Sequence, residues 1–236
     1  MYHISCKCSR IQAIYGTMLV KDFITTHIPV LKSFDTTEHA ISMMDELKVK
    51  HLAVVDDGTY KGLLSEKDLL NTPQSISTHL ELQHFSPAIA PEQHLFEALR
   101  LMSHYELTLL PVVNDQGEYR GCVTQEKVIE AVAEVCQVAT EGTVLVLEIN
   151  PQDYSLTDLA RIVESNNAHI LSLTSHQIAL TGKMIVSLKV DLEDASPVIR
   201  SLERFDYNLL YYFMKEGMVD DVLKKRMDEL LYYMNL

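Results

Sequence analysis

Hydrophobic and polar positions follow the same order twice between Met18 and Val135. The run His51-Leu-Ala-Val-Val-Asp-Asp-Gly-Thr-Tyr-Lys-Gly-Leu-Leu-Ser-Glu-Lys-Asp68 returns as Leu109-Leu-Pro-Val-Val-Asn-Asp-Gln-Gly-Glu-Tyr-Arg-Gly-Cys-Val-Thr-Gln-Glu-Lys127. Pro29 and Pro87, Ala40 and Ala98, Met44 and Met102, and Val54 and Val112 all lie 58 positions apart. Gln116 adds one residue, so Gly62 and Gly121, and Ser65 and Thr124, lie 59 apart. A repeat of this length predicts two similar units about a pseudo-two-fold axis, with clefts between them.

Each copy reads strand, helix, strand, strand, helix. Ile28-Pro-Val-Leu31 is a short extended segment. Asp35, three residues before Glu38, predicts a helix cap. Ala40, Ile41, Met44 and Leu47 then recur at helical spacing. Leu52–Val55 is a strand, Asp56-Asp57-Gly58 a hairpin turn, and Gly62-Leu63-Leu64 the returning strand. Ser65 caps the helix that carries Asp68. The second copy repeats the plan through Leu95, Ala98, Leu99 and Met102, Leu110–Val113 and Gly121-Cys122-Val123. The polar segment Asn71–His79, with Pro73, reads as the link between copies.

After Gly142 the rhythm changes. Val144–Ile149 is a strand, Ser155 with Asp158 starts a helix, and Ile170–Thr174 is a second strand. Thr181-Gly182 forms a turn and Met184–Val190 a third strand. Ser196-Pro197 opens a helix, with proline tolerated in its first turn, and Leu209–Phe213 is the last strand. This β-α-β-β-α-β order is the ferredoxin-like plan. Val219, Val222, Leu223, Met227, Leu230, Leu231 and Met234 then form one apolar stripe, which predicts an amphipathic helix over 217–236. The expected fold class is α/β (α+β). Its parts are an N-terminal extension over 1–17 without periodicity, a repeat pair over 18–137 (copies about 18–71 and 78–135), and a ferredoxin-like domain over 143–214. Met18 is an alternative first residue.

Composition narrows the classes of function. A net charge of −13 disfavours nucleic acid and anionic membrane as partners. No apolar run is long enough to span a bilayer, and Met1–Thr17 lacks the apolar core of a signal peptide. The four cysteines are scattered, and Cys6-x-Cys8 has no second pair to complete a zinc site. They read as reduced thiols of a cytoplasmic protein. Ten histidines, spread along the chain, form no metal motif. No nucleophile elbow, zinc-protease motif, phosphate loop or dinucleotide fingerprint is present, so no enzyme is expected.

The candidate chemistry lies in Gly62-Leu-Leu-Ser65-Glu-Lys-Asp68. Gly62 permits close backbone approach to a ligand. Ser65 sits where a helix start attracts an anion, and the Asp68 carboxylate, one turn on, can accept from two hydroxyls of a ribose. The same residues also suit a plain helix cap and a first-turn acid. Lys61, Lys67, Arg120 and Lys127 flank the motif, either facing an anion or simply solvated.

The proline segments, the Val-Val hairpins and the Gly-x-x-(Ser/Thr)-x-x-Asp ending, in order and in duplicate, resemble a pair of cystathionine-beta-synthase (CBS) domains, a Bateman module. The resemblance covers Met18 to about Val135. It implies an adenine nucleotide (AMP, ADP, ATP or another adenosine derivative) as a regulatory ligand rather than a cofactor. By that resemblance Ser65 meets phosphate, Asp68 meets ribose, and Ile28, Pro29, Val30, His51, Leu52 and Ala53 line the base pocket. The second cleft, with Pro111 and Thr124, departs from the pattern. Lys127 stands at the carboxylate's position, and an ammonium group only donates. One conventional nucleoside site is therefore expected.

The segment after Gly142 resembles an ACT domain. Its first turn, Asn150-Pro-Gln-Asp-Tyr154, lacks the usual glycine, and Asp153 is either an amino-group ligand or a solvated acid. A CBS pair followed by an ACT-like domain resembles the bacterial acetoin-utilisation protein B type. The resemblance implies a ligand-sensing regulator and a homodimer, with an unidentified protein target. The alternative is a dimerisation module with empty clefts.

Overall fold

The computed structural model describes residues 18–71, 75–82 and 86–214. The predicted N-terminal extension and the stripe Val219–Met234 lie outside the described residues. The chain divides into two compact units, Met1–Ala131 and Val132–Leu236.

The first unit contains both repeats. In the first, α1 (Thr37–Leu47) leads into the antiparallel hairpin of β1 (His51–Asp56) and β2 (Thr59–Ser65), followed by α2 (Glu66–Asn71) and α3 (Ile76–Leu82). Asp57 and Gly58 both take positive φ, the geometry of a two-residue turn that matches strand twist. Leu31 extends the sheet by a parallel bridge to Val54. The core gathers Leu31, Ala40, Met44, Leu52, Val54, Leu64, Leu69 and Ile76.

Two sequence expectations are corrected in this repeat. The cap of α1 is Thr36, whose hydroxyl accepts from His39 N–H at 3.2 Å. Asp35 turns back instead and accepts from Lys32 N–H at 2.8 Å. The predicted link holds helix α3, because Ile76 is fully buried in the first-repeat core and its helix must follow it there.

The second repeat has α4 (Leu95–His104), the hairpin of β3 (Leu109–Val113) and β4 (Tyr119–Thr124), and α5 (Gln125–Val135). Its sheet is extended by the parallel bridge Ile89 to Val112. Both hairpins carry a register irregularity at the second valine, Val54/Val55 and Val112/Val113. The hairpins meet tip to tip: Tyr60 N–H donates to Gly117 O at 3.0 Å, and Tyr119 N–H donates to Gly58 O at 2.8 Å. Two reciprocal bonds between equivalent residues are the signature of the expected pseudo-two-fold axis.

The second unit places β5 (Thr143–Ile149), α6 (Leu156–Glu164), β6 (Ile170–Gln177), β7 (Met184–Val190), α7 (Ser196–Arg204) and β8 (Asn208–Phe213) in chain order. The sheet is antiparallel with order β6-β7-β5-β8, the ferredoxin-like arrangement. Ser155 caps α6 by accepting from Asp158 N–H at 3.3 Å, as its sequence position predicts. Leu145, Leu147, Leu159, Ile162, Val186, Leu188, Val198 and Leu202 form the core between sheet and helices. The fold is thus a mixed α/β one, as expected.

Candidate functional site

The beginnings of β1 and β3 lie beside each other on the pseudo-axis. The helices that follow each hairpin, α2 and α5, are tied to them. Glu66 N–H donates to Lys50 O at 2.9 Å, and Gln125 N–H donates to Thr108 O at 3.1 Å. These ties satisfy one otherwise unpaired donor at each helix start. Beside them opens a cleft of about 950 Å³. The first repeat lines it with Lys50, His51, Ser65, Glu66, Lys67, Leu70 and Asn71. The second contributes Met102, Ser103, Tyr105, Glu106, Leu107, Thr108 and Gln125.

Ser65 stands at this wall and caps α2: its Oγ accepts from Asp68 N–H at 3.1 Å and donates to Asp68 Oδ2 at 2.6 Å. Asp68 itself is exposed. His51 is half-buried. Its Nδ1 accepts from Thr108 N–H at 3.2 Å and lies 3.1 Å from Thr108 Oγ1. Thr108 Oγ1 in turn accepts from Lys50 N–H at 3.0 Å. A backbone N–H can only donate, so this geometry needs a lone pair on Nδ1 and a neutral ring. Burial pushes the His51 imidazole below its ordinary pKa, with Lys50 adding to the effect and the Asp68 carboxylate opposing it.

The structure splits the predicted site. His51 and Ser65 lie on the cleft wall. Leu52 and Ala53 are buried, Leu52 in the first-repeat core. Ile28 and Val30 are half-buried, Pro29 is exposed, and none of the three lines the cleft. Gly62 is buried in β2 opposite Val54. The next residue, Leu63, donates its N–H to Ser86 Oγ at 2.8 Å, so protein already occupies that approach. In the second repeat the matching position is taken by Thr25, which exchanges two backbone bonds with Cys122.

Thr108, Lys50 and Gln125 belong to the site without having been expected there. The repeat arithmetic held one signal: Thr108 is Lys50's equivalent at the 58-residue offset, and equivalent residues meet where their position falls on the two-fold axis, as these do. Burial pushes the Cys122 thiol up to about 11, which keeps it protonated and unreactive at neutral pH. Among the described residues no group of His, Cys, Asp or Glu is arranged to hold a metal ion. No described helix is long and apolar enough to cross a membrane.

Comparison with known proteins bears on the repeats. The CBS domain family model matches residues 20–74 and 84–134. A Bacillus subtilis (strain 168) protein, CBS domain-containing protein YhcV, is 30% identical over 114 residues, covering 44% of this chain and 78% of its own. The chain belongs to the CBS-domain family. Two solved structures are similar to part of the chain. A CBS domain pair/ACT domain protein of Thermotoga maritima is 25% identical, covering 50% of this chain and 98% of its own, with a TM-score of 0.44. CBSX2 in complex with AMP is 27% identical, covering 50% of this chain and 97% of its own, with a TM-score of 0.43. Crystals of a CBSX2 come from Arabidopsis thaliana.

Within the CBS pair the two motif endings differ as their sequences require. Thr124 caps α5, accepting from Lys127 N–H at 3.3 Å. The Lys127 ammonium pairs with Glu130 at 2.6 Å on an exposed surface, an interaction worth about 0–1 kcal/mol. Pro111 is buried in β3.

The His51 environment sets a pH dependence. A ring whose folded pKa lies below its ordinary 6.5 binds fewer protons when folded than unfolded. Its contribution is therefore present above 6.5 and lost as pH falls from 6.5 through the lowered folded value. Urea midpoints should fall on acidification through that window, and His51→Gln should fall less. Equal slopes in the two proteins would show that another group sets the trend.

Proposed function

We propose that this CBS pair is a regulatory ligand-binding module whose first-repeat cleft takes an adenine nucleotide. The observation that carries the reading is the asymmetry of two otherwise matching endings. Ser65 lines a cleft of about 950 Å³ and holds the exposed Asp68 carboxylate beside it by a hydrogen bond, whereas Lys127 replaces the carboxylate in the second copy. That volume suits a nucleotide-sized ligand. Lys50 and Lys67 on its wall offset the charge of a phosphate. To bind, the ligand exchanges the Ser65–Asp68 hydrogen bond for its own: Asp68 accepts from the ribose hydroxyls and Ser65 donates to phosphate. Occupancy then shifts the arrangement of a homodimer or of the ACT-like unit, through the ligand's preference for one of two states.

One observation favours a second reading, a dimerisation module with empty clefts. Ser65 and Asp68 already satisfy one another at 2.6 Å, as a simple helix cap would.

Thermal melts with AMP, ADP, ATP and S-adenosylmethionine separate the two. A ligand at about 100 times its dissociation constant stabilises the fold by about 2.7 kcal/mol. Asp68→Ala should remove most of that shift, since unpaired ribose hydroxyls cost about 1–3 kcal/mol. Lys127→Ala should leave most of it. No shift with any of the four at millimolar concentration sinks the nucleotide reading. Greater damage from Lys127→Ala would move the site to the second repeat.

A further inference from the structure

The contact between His51 and Thr108 joins the two repeats at their pseudo-axis, and it tolerates only one protonation state. The Thr108 N–H points at Nδ1 from 3.2 Å. A proton on Nδ1 would set donor against donor, and the contact would open. Thr108 Oγ1 accepts from the Lys50 N–H at 3.0 Å and lies 3.1 Å from Nδ1; with the Nδ1 lone pair facing the Thr108 N–H, the hydroxyl's own proton is free to turn toward the ring. The consequence reaches both helix starts. Lys50 and Thr108 hold the first N–H groups of α2 and α5 through their carbonyls, and Ser65 and Thr124 cap those same helices.

We infer that His51 and Thr108 form a proton-operated latch between the repeats, closed with a neutral ring and released when the ring is protonated. The ring lies on the cleft wall, so the latch also regulates the site; this second step rests on the nucleotide reading. The charged groups around His51 are Lys50 beside it, Glu66, Lys67 and Asp68 on α2, and Glu106 from the second repeat. Three acids against two lysines leave these surroundings slightly negative, and an added phosphate makes them more so, which favours the protonated ring. Ligand entry therefore draws in a proton, and protonation favours ligand.

Two measurements on the full chain test the latch and its link to the site separately. In the ligand-free protein, the Thr108 amide resonance should move with pH, with a midpoint below the ordinary 6.5. The movement should vanish in His51→Gln, whose side-chain oxygen can accept the same N–H. It should survive in Thr108→Val, which keeps the N–H. A Thr108 amide that ignores pH, or that moves equally in His51→Gln, overturns the latch. For the site, ADP affinity is compared at about pH 8 and about pH 6 in wild type and His51→Gln. The variant cancels the titration of ADP itself. Wild type should gain about fivefold or more over the variant on acidification. Identical pH dependence in both proteins overturns the link between latch and site. If neither protein binds ADP while the Thr108 amide titrates, the latch stands and the nucleotide reading falls.

Discussion

Gly142→Val is expected to destabilise the second, ferredoxin-like unit by about 3–5 kcal/mol, the sum of a strained backbone and an overfilled contact. Gly142 has φ +146°, a conformation that side chains with a Cβ rarely adopt. It precedes β5 where that strand crosses the end of β7, and a Cβ built there runs into the Val190 carbonyl oxygen. That oxygen is backbone and cannot swing aside as a flexible side chain would. Thr143, next in the chain, is fully buried. Its hydroxyl lies 2.8 Å from Leu192 O and 3.0 Å from Glu193 O, so a shift of the crossing strains those bonds too. Urea unfolding read through exchange of the β5–β8 amides reports the loss. A change within about 0.5 kcal/mol, ordinary for a surface substitution, would show that the crossing can relax.

Gly142 illustrates what one sequence reveals. It marks the place where the hydrophobic rhythm changes, but its crowding comes from Val190, almost fifty residues away, and no local pattern carries that. Where structure is local, the reading is sharp. Met184–Val190 alternates, and the strand has those ends. Ser155 with Asp158 caps α6. The predicted strand Ile170–Thr174 runs on to Gln177 because β6 lies at the sheet edge, where exposed His176 and Gln177 are tolerated. Helix α3 is hard to read from the sequence since Ile76 is the single apolar residue of the polar stretch Asn71–His79, although Ile76 and His79 are both buried. For the candidate site, the repeated motif singles out Ser65 and Asp68, and the family resemblance adds His51. The partner of His51 comes from the other repeat, and Thr108 belongs to no motif.

The repeats also show why a resemblance transfers some residues more securely than others. Chemistry outside the core, such as half-buried Ser65 and exposed Asp68, stays recognisable from its spacing. The expected base pocket depended on which face of β1 meets the cleft, and β1 is buried on four successive positions, Leu52 to Val55. A strand covered on both faces loses the alternation that tells inside from outside. The predicted pocket residues Leu52 and Ala53 are therefore the ones whose placement only the structure decides.

Leu52→Ala and Asp68→Ala should accordingly have opposite signatures. Leu52 is fully buried among Leu31, Met44, Val54, Leu64 and Leu69. Truncating it leaves a cavity that its neighbours fill only partly, at about 2–5 kcal/mol. For a chain of this size each kcal/mol lowers the melting temperature by about 2–4 °C, so a fall of about 6–12 °C is expected for a mid-range loss. Nucleotide affinity at a temperature where the variant is still folded should stay within about threefold of wild type, since less than 1 kcal/mol of binding energy is at stake there. Asp68→Ala should do the reverse. Its carboxylate is exposed and its hydroxyl partner is Ser65, so the melting temperature without ligand should move little, while most of the nucleotide-induced shift is lost. A Leu52→Ala protein that melts normally yet fails to bind would place Leu52 in the ligand pocket and refute the core assignment. An Asp68→Ala protein that binds normally would leave Ser65–Asp68 as a helix cap and nothing more.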